Sequence, residues 1–384
     1  MHVLLLGVPL YEGMAGSVRV RNLLDPLIQE RKISWSNLYF SKQAGNFKGN
    51  GEAHLKEVEV DLKNPKSILR FFSNSFRFIK LRKVKGELNL FYAYDTPDLK
   101  NIFLILYAKL LGYKIVLDLV EDNSVAASYG GFLNRIRIKS GQYILNSSPL
   151  YGDLFIGISN HLFHKLTVLV KDLSKVMYIP VTVDLEKIQV SKCEQKHGMK
   201  VFYGGSFGKK DGIEYLIGGF EKVHQNFPEA ELILTGKVDD TKYLDEILQK
   251  YKTKSVLKKI KYLGFLSSEE YLKVLGDCDV FCVTRNNSQA ANTGFPSKLA
   301  EFLASGKAVV ASDVGDVGKL LQNGKDLLLV PPEDEQALAN AMTLVLNDRS
   351  LVDKLGQAGR KAANEIFDNK KYSALLFERM NSLN

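Results

Sequence analysis

The sequence predicts an α/β protein built from two doubly wound, Rossmann-like domains. Short apolar runs rich in Val, Ile and Leu alternate with longer amphipathic segments, a pattern typical of parallel sheets covered by helices. At 384 residues the chain suits two domains better than one. The alternation also restarts after a polar stretch without periodicity at residues 180–199, where we place the linker.

The apolar runs predict strands, and the amphipathic stretches between them predict helices. In the first half we expect strands at residues 3–6, 35–40, 88–92, 115–119, 154–158 and 176–179, and helices at about 17–30, 65–80, 97–111, 131–145 and 160–169. In the second half we expect strands at 200–203, 231–235, 260–263, 280–284, 308–312 and 327–330, and helices at about 212–227, 333–346, 351–366 and from 370 towards 383. The predicted domains are residues 1–183 and 184–367, facing a central crevice where ligands meet the carboxyl ends of the strands.

Composition excludes several classes of protein. With 45% hydrophobic and 25% charged residues, the chain is neither disordered nor of low complexity. The longest apolar runs are of strand length and no signal-peptide pattern begins the chain, so we expect a cytoplasmic protein. Cys193, Cys278 and Cys282 have no metal-type spacing, which excludes a disulfide-stapled or zinc-ribbon protein.

The net charge of +9 lies entirely in the first domain. Residues 1–183 hold 24 Lys and Arg against 15 Asp and Glu, whereas the remaining residues hold 28 of each. A basic domain indicates an anionic partner: nucleic acid, a phosphorylated substrate or an anionic membrane surface. Nucleic acid ranks last among these, because the basic residues show no recognition-helix or stacking-platform pattern. Residues 66–85 carry seven Lys or Arg and no acid, with Phe and Ile between them. This segment is either a core helix with a solvated basic back or a surface that adsorbs to anionic lipid headgroups.

Residues 292–306 carry the clearest candidate site. Pro296 follows a strand and a polar loop, where it is well placed as the first residue of a helix. The amides of three following residues would then form an anion site with the positive end of the helix dipole: Ser297, Lys298 and Leu299. Lys298 adds a full charge, and Glu301 could accept hydrogen bonds from ligand hydroxyls. The alternative is an ordinary loop with a structural proline.

Two further glycine-containing loops follow strands. Residues 201–212 carry Lys209 and Lys210 and could cradle a phosphate, although they match neither the dinucleotide fingerprint nor the P-loop. A solvated basic turn is the alternative. Residues 7–19 lead from the first strand into a helix for which Ser17 is the expected N-cap.

Together these segments resemble the family-4 (group 1) glycosyltransferases, which have the GT-B fold. Besides the first glycine loop, the resemblance rests on VFYGGSFGKKDGIEYLIGGF at 201–220, LILTGK at 232–237, IKYLGFLSSEEYLKVLGDCDVFCV at 260–283, GFPSKLAEFLASGKAVVAS at 294–312 and DLLLVPPEDEQALANAM at 326–342. It implies that the second domain holds a nucleotide sugar and the first domain the acceptor. It also implies that a final helix, about 368–384, crosses back to the first domain.

The resemblance assigns donor-binding roles to individual residues. The second of the family's two glutamates, which grips the ribose hydroxyls, is Glu301, whereas the first falls on Thr293. The amides of Gly294 and Phe295 would still serve the donor sugar. Phe265 lies in the stretch that holds the base through its backbone, and Gly16 lies in the first glycine loop.

The charged groups of the family are only partly kept. Its diphosphate-binding Arg and Lys fall near Ser206 and Asp211, so the charge would come from Lys209 or Lys210. In KIVLDLVED at 114–122, Glu121 occupies the place of a histidine that faces the donor sugar, and Asp122 follows it. For this Glu–Asp pair, a helix cap or a solvated turn is the alternative.

The resemblance implies a retaining hexosyltransferase (EC 2.4) with Glu121, Lys210 and Lys298 in catalytic roles. It would move sugar from a nucleotide sugar to a glycan or lipid-linked acceptor, in surface polysaccharide or glycolipid synthesis at the inner face of the plasma membrane. We expect no metal or other cofactor, because no D-x-D motif occurs in the loops. The missing first glutamate leaves two alternatives: a catalytically silent subunit that supports a partner transferase, and a nucleotide-sugar epimerase.

Overall fold

The structure is a computed structural model that describes residues 1–8, 14–41, 55–59, 61, 64–95, 97–122, 132–188, 199–237, 241–251 and 254–384. The chain forms two compact units, Met1–Pro180 with Asn369–Asn384, and Val181–Asp368. Each unit is a doubly wound α/β structure, so the predicted fold class is confirmed. Half of the predicted linker, part of the first glycine loop and Cys193 lie outside the described residues.

The first unit contains a parallel sheet. Its strands, as far as the structure describes the chain, are β1 His2–Leu6, β2 Ser34–Ser41, β3 Leu55–Glu59, β4 Asn89–Tyr94, β5 Lys114–Leu119, β6 Leu154–Gly157 and β7 Val176–Tyr178. They run in the order β3-β2-β1-β4-β5-β6-β7. The sequence did not predict β3, because its LKEVE pattern carries charges typical of a sheet edge rather than an apolar run.

The helices of the first unit follow the predicted pattern closely. They are α1 Ala15–Gln29, α2 Pro65–Arg82, α3 Leu99–Leu110, α4 Phe132–Asn146, α5 Asn160–Val170 and the last helix of the chain, α14 Asn369–Asn381. Side chains of Asn64, Asp98 and Ser159 cap α2, α3 and α5. The predicted N-cap Ser17 is wrong: α1 begins earlier, after Met14, and Ser17 is buried inside its first turn.

The C-terminal helix α14 is part of the first unit. Ser373 on α14 donates a 2.7 Å hydrogen bond from its hydroxyl to the carbonyl of Leu23 on α1. Leu376 and Met380 join the apolar core that α1 forms with the sheet. The chain therefore leaves the first unit near Pro180 and returns to it at Asn369.

The second unit repeats the architecture with its own parallel sheet. Over the described residues its strands are β8 Lys200–Gly204, β9 Glu231–Thr235, β10 Ile260–Tyr262, β11 Val280–Val283, β12 Ala308–Ser312 and β13 Leu328–Val330. They run in the order β10-β9-β8-β11-β12-β13. The helices are α6 Ile213–Asn226, α7 Thr241–Gln249, α8 Ser268–Asp277, α9 Gln289–Thr293, α10 Leu299–Ala304, α11 Val317–Leu320, α12 Glu335–Asn347 and α13 Arg349–Phe367.

The core of this unit follows the sequence pattern. The apolar face of α6 lies fully in the core, as its helical spacing predicts. Cys278 ends α8, Cys282 lies within β11, and both are buried. Burial raises the pKa of the Cys278 thiol to about 12. Both cysteines are therefore core residues. In the part of the chain that the structure describes, we find no helix that is both long and apolar enough to cross a membrane.

A buried ion pair joins three elements of the first unit. Arg19 on α1 donates two hydrogen bonds of 2.8 Å to the carboxylate of Asp118 on β5. The guanidinium also donates to the carbonyls of Ile179 and Pro180, at 3.1 and 2.9 Å. The hydroxyl of Tyr92 donates to Asp118 at 2.7 Å, and burial together with the Asp118 charge raises the pKa of this hydroxyl. The network holds Ile179 and Pro180, where the chain leaves the first unit, against α1.

Because removing one partner strands the other as a buried, uncompensated charge, we expect Arg19→Met to destabilise the first unit by about 3–5 kcal/mol. Arg21, two residues along α1, makes an exposed pair with Asp25, so Arg21→Met is a matched control that should cost at most about 1 kcal/mol. Urea denaturation of the full chain measures both. Equal losses in the two variants would contradict the assignment.

Candidate functional site

The loops after the strands of the second sheet gather at one edge, because all its strands are parallel. Gly205, after β8, donates its amide to the carbonyl of Thr235 at 3.1 Å, and Gly236, after β9, donates to the carbonyl of Gly264 at 2.9 Å. A Cβ on Gly236 would lie 1.8 Å from the carbonyl oxygen of Gly205, and its φ is +132°. Only glycine allows these loops to approach so closely.

A polar cluster lies at this edge in the first turns of α8 and α10. Glu301 of α10 is only 8% exposed, and its Oε2 accepts a 2.8 Å hydrogen bond from Nζ of Lys298. The hydroxyl of Tyr271, on α8, donates to the same oxygen at 3.3 Å. Nζ of Lys298 also lies 4.6 Å from the centre of the Tyr271 ring. We call these three side chains the Glu301 cluster.

The charges of the Glu301 cluster support one another. Burial lowers the pKa of Lys298, but the Glu301 carboxylate and Tyr271 raise it more strongly, so that the pKa lies above its usual value. Burial raises the pKa of Tyr271 as well. At neutral pH the cluster therefore presents an ammonium group and a phenol hydroxyl around one carboxylate. Such a carboxylate can accept hydrogen bonds from the hydroxyls of a ligand.

The predicted helix start is wrong. The amide of Leu299 donates to the carbonyl of Pro296 at 3.2 Å, which closes a turn, and α10 begins only at Leu299. The amide of Leu299 is thus hydrogen-bonded within the chain, and the side chain of Leu299 is fully buried. Lys298 is paired with Glu301 instead of standing alone, whereas Ser297 is exposed. Of the three amides in the predicted anion site, that of Leu299 is therefore already bonded within the chain, and an anion site on the amides of Ser297 and Lys298 stays a prediction.

Asp211 organises the glycine loop after β8. Its Oδ2 accepts hydrogen bonds from the hydroxyl of Ser206 at 2.7 Å and from the amide of Gly208 at 2.9 Å. Asp211 is buried, whereas Ser206 is exposed. The two residues that stand where the family carries cations therefore bond to each other and close the loop.

The two lysines of this loop are anchored through their backbones. The carbonyl of Lys209 accepts from the side-chain amide of Asn286 at 3.0 Å, and that of Lys210 accepts from the backbone amide of Asn286 at 3.1 Å. The side chain of Lys209 is exposed and that of Lys210 is half-buried. The loops after β8 and β11 are thus joined directly.

Arg285 is a candidate residue that the sequence interpretation missed. It follows β11 and is 9% exposed, and its guanidinium donates to the carbonyl of Phe295 at 3.3 Å. One guanidinium nitrogen, Nη1, lies 3.8 Å from the position that a Cβ on Gly294 would occupy. A cation therefore lies beside the loop that was expected to hold the donor sugar. The sequence does contain a signal for Arg285, since a basic residue directly follows the carboxyl end of the predicted strand 280–284.

The other donor-loop residues occupy different surroundings. Thr293 ends α9 and is buried, and Gly294 is the residue that caps this helix. The ring of Phe295 contacts that of Phe367, with 5.8 Å between ring centres. Phe265, in the loop after β10, is 56% exposed. The ring of Phe265 is thus accessible to a ligand, and Phe295 is a packing residue whose backbone faces Arg285.

The first unit contains three further candidate residues: Glu121, Asp122 and Gly16. Glu121 is exposed in the turn after β5. Asp122, which follows it, is buried and pairs with Nε2 of His161 at 2.8 Å and with Nζ of Lys165 at 2.7 Å. Both partners are on α5, so Asp122 ties the end of β5 to this helix, and its carboxylate is buried rather than solvated. A Cβ on Gly16 would lie 2.8 Å from Cε1 of Tyr94, which gives this glycine a packing role.

Solved structures with the same architecture extend over the whole chain. The Anabaena protein Alr3699/HepE, solved in complex with UDP-glucose, has a TM-score of 0.75 and 18% identity, and the match covers 100% of both chains. Sucrose-phosphate synthase from Thermosynechococcus elongatus has a TM-score of 0.74 and 17% identity, over 100% of this chain and 98% of that one. These likenesses show the fold, which is of the GT-B type.

Sequence comparison places the similarity mainly in the second unit. The family model "Glycosyl transferases group 1" matches residues 186–362. A phosphatidyl-myo-inositol mannosyltransferase of Mycolicibacterium smegmatis is 26% identical over 157 residues, 41% of this chain and 38% of that protein. Its Mycobacterium tuberculosis counterpart is 29% identical over 175 residues, 44% and 43% of the two chains. The chain thus spans about two fifths of the length of these relatives.

Proposed function

We propose that this protein is a nucleotide-sugar-dependent hexosyltransferase of the family-4 type, and that its second unit binds the donor. The observation that carries the proposal is the Glu301 cluster, which lies within the segment that the group 1 family model matches. A hexose donor agrees with the similarity to mannosyltransferases and to a protein solved with UDP-glucose.

The Glu301 carboxylate would receive the two ribose hydroxyls of the donor nucleotide. Lys298 and Tyr271 keep this carboxylate oriented, and the Lys298 charge offsets the cost of holding it away from water. The exposed Phe265 lies in the loop that would meet the base. In this proposal Lys298 acts through Glu301 and so becomes a positioning residue.

The donor diphosphate would be held by cations and backbone groups, without a metal ion. Neither Ser206 nor Asp211 is a cation, and the two are bonded to each other, so the positive charge must come from other residues. Arg285 lies beside Gly294, and Lys209 and Lys210 follow on the adjoining loop. These groups would stabilise the negative charge that grows on the leaving diphosphate.

We propose retention of the anomeric configuration, with the acceptor hydroxyl attacking on the face that the diphosphate leaves. Such a front-side attack needs no protein nucleophile, and we assign none. The role of Glu121 at the donor sugar stays a prediction. The first unit would bind a glycan or lipid-linked acceptor, at the inner face of the plasma membrane, in the synthesis of a surface polysaccharide or glycolipid.

Purified protein decides between this function and its alternatives. Incubated with UDP-, GDP- and ADP-sugars, a transferase releases nucleoside diphosphate in proportion to acceptor. A silent subunit binds the donor without turnover, and an epimerase returns an altered nucleotide sugar without acceptor. A thermal-shift screen over the same donors selects the nucleotide to use, because ligand binding to the folded state raises the melting temperature.

We expect Glu301→Ala to weaken nucleotide-sugar binding about 10- to 100-fold, because the ribose loses its charged acceptor. Lys298→Ala should weaken it in the same direction, through the loss of carboxylate orientation. Glu365→Ala on α13 is the control, since Glu365 is exposed and forms a surface ion pair with Lys361. Calorimetric titration measures binding, and the melting temperature without ligand checks folding. Folded variants that bind like the parent would show the site assignment to be wrong.

We expect Arg285→Met to weaken binding of nucleoside diphosphate about 10- to 100-fold and to leave nucleoside binding unchanged, because the diphosphate offers the guanidinium an anionic partner and the nucleoside does not. Arg285→Lys should restore part of the affinity. Arg349→Met, at an exposed position on α13, is the matched control. An equal loss for nucleoside and diphosphate would assign Arg285 a purely structural role.

We expect a metal chelator to leave donor turnover unchanged, since protein cations carry the diphosphate charge in this proposal. The measurement compares nucleoside diphosphate release with and without EDTA, after extensive dialysis. Loss of turnover with chelator, followed by recovery on addition of Mg²⁺ or Mn²⁺, would contradict metal independence while leaving the transferase assignment intact.

A further inference from the structure

An imidazole and a buried carboxylate meet at the carboxyl edge of the first sheet. β5 and β6 pair in parallel, with Leu119 opposite Gly157, so the segments that follow these strands start side by side. Asp122 follows β5, and His161 lies in the first turn of α5, directly after β6. In doubly wound sheets this is the edge at which ligands bind. The pair therefore lies on the ligand-binding edge of the unit to which the proposed function assigns the acceptor.

Asp122 binds two side chains of α5. Its Oδ2 lies 2.8 Å from Nε2 of His161, and its Oδ1 lies 2.7 Å from Nζ of Lys165. His161 and Lys165 are four residues apart, so they lie on the same side of the helix. Because Lys165 already offsets the charge of this buried carboxylate, the imidazole is not needed for that purpose. The bond to His161 acts on the imidazole instead.

The carboxylate fixes the position of the imidazole proton. An ionised carboxylate only accepts hydrogen bonds, so Nε2 is the ring nitrogen that carries the proton. In a neutral imidazole Nδ1 is then a hydrogen-bond acceptor. The side chain of His161 is 42% exposed, whereas that of Asp122 is 3% exposed. The arrangement thus presents one oriented nitrogen, ready to accept a hydrogen bond, at a surface that a ligand can reach.

His164, three residues further along α5, lacks this arrangement. It is exposed, and its ring contacts the ring of Phe163, with 5.9 Å between ring centres. Within the described ranges, no carboxylate forms an ion pair with it. The two histidines thus share a helix and an exposed position but differ in the carboxylate partner. His164 is therefore a matched control for His161.

We propose that His161 binds the sugar acceptor, with a hydroxyl of the acceptor donating a hydrogen bond to Nδ1. Asp122 acts through His161 and is a positioning residue. The ligand class is a molecule with several hydroxyls, a glycan or a lipid-linked sugar, because a hydroxyl is the donor that a neutral imidazole nitrogen can accept from. The inference deepens the proposed function and rests on it for the identity of the ligand.

The protonation of His161 is tested without any ligand. The full chain is labelled with ¹⁵N in its histidine rings, and long-range proton–nitrogen correlation spectra at mildly alkaline pH identify the protonated nitrogen of each ring. The His161 signals are those that His161→Gln removes. We expect the proton on Nε2 of His161, and a loss of this preference in Asp122→Asn, because an amide donates as well as accepts. A proton on Nδ1 in the parent would overturn the proposal.

Acceptor binding is tested with octyl glucosides, galactosides and mannosides, which carry sugar hydroxyls on a short alkyl chain. Release of nucleoside diphosphate from the donor that the thermal-shift screen selects gives the KM for each probe. We expect His161→Gln to raise this KM about tenfold, the effect of one lost hydrogen bond, and to leave the Kd of the nucleotide sugar unchanged. The glutamine keeps an N–H group for Asp122, so this variant is expected to fold. His164→Gln should behave like the parent.

Lys165→Met distinguishes acceptor binding from a structural role. It breaks the other bond of Asp122, so it should lower the melting temperature and leave the KM for the probe at the parent's level. If His161 only tied α5 to the end of β5, the two variants would act alike, with the melting temperature and the KM changing together. That result would overturn the proposal, and so would an unchanged KM in folded His161→Gln protein.

Direct binding separates this inference from the proposed function. Saturation-transfer NMR measures binding of the octyl glycosides to the parent and the variants without donor, and it replaces the KM if no probe supports turnover. Probe binding that His161→Gln weakens, in a protein that binds no nucleotide sugar, would refute the proposed function alone. A parent that binds nucleotide sugar but none of the octyl glycosides, or binds them no better than His161→Gln does, would refute this inference alone.

Discussion

Parallel pairing within each sheet is the constraint from which the candidate site follows. Because parallel neighbours must be joined by crossovers, each described helix between two strands starts at the edge where the preceding strand ends. In the second unit Tyr271 lies on the connection from β10 to β11, whereas Arg285 and Glu301 both lie on the connection from β11 to β12. The hydrogen bond from Tyr271 to Glu301 joins the two connections. The glycine loop after β8 reaches the same edge because β8 and β11 are neighbours in the sheet, although they lie far apart in sequence.

Each unit contains a buried carboxylate paired with a cation, and the two pairs differ in their access to solvent. The Asp118 carboxylate accepts hydrogen bonds from Nε and Nη2 of Arg19 and from the hydroxyl of Tyr92, and all three side chains are buried in the core. That network is closed to solvent, so a ligand has no access to it. Glu301 also has an adjacent cation, Lys298, but Lys298 remains a quarter exposed, and the pair lies at the loop edge of the sheet. A buried carboxylate thus has a cation beside it in both units. In the first unit the pair is enclosed in the core, and in the second it lies at the loop edge of the sheet.

Much of the fold could be predicted from sequence, because buried parallel strands are apolar runs and their helices have a clear period. β3 could not, since an edge strand keeps charged residues. The start of α10 was misplaced because Pro296 suits a helix start and a preceding turn equally well, and only the Leu299 hydrogen bond decides between them. The surroundings of Arg285 depend on which elements come to lie beside it, and a local pattern does not contain that information.

The placement of cations bears on whether the protein is a transferase or a silent subunit. The glycine loop holds Ser206 and Asp211 where its resemblance to the family implies two cations, and taken alone this indicates lost diphosphate binding. Asn286 joins that loop to the one after β11, which carries Arg285. A cation on the loop after β11 can therefore lie near the place that a cation on the glycine loop after β8 would occupy. The Arg285 guanidinium is buried beside Gly294 and also donates to the carbonyl of Phe295. We therefore interpret the two loops as a relocation of the charge, as the proposed function requires, rather than as its loss.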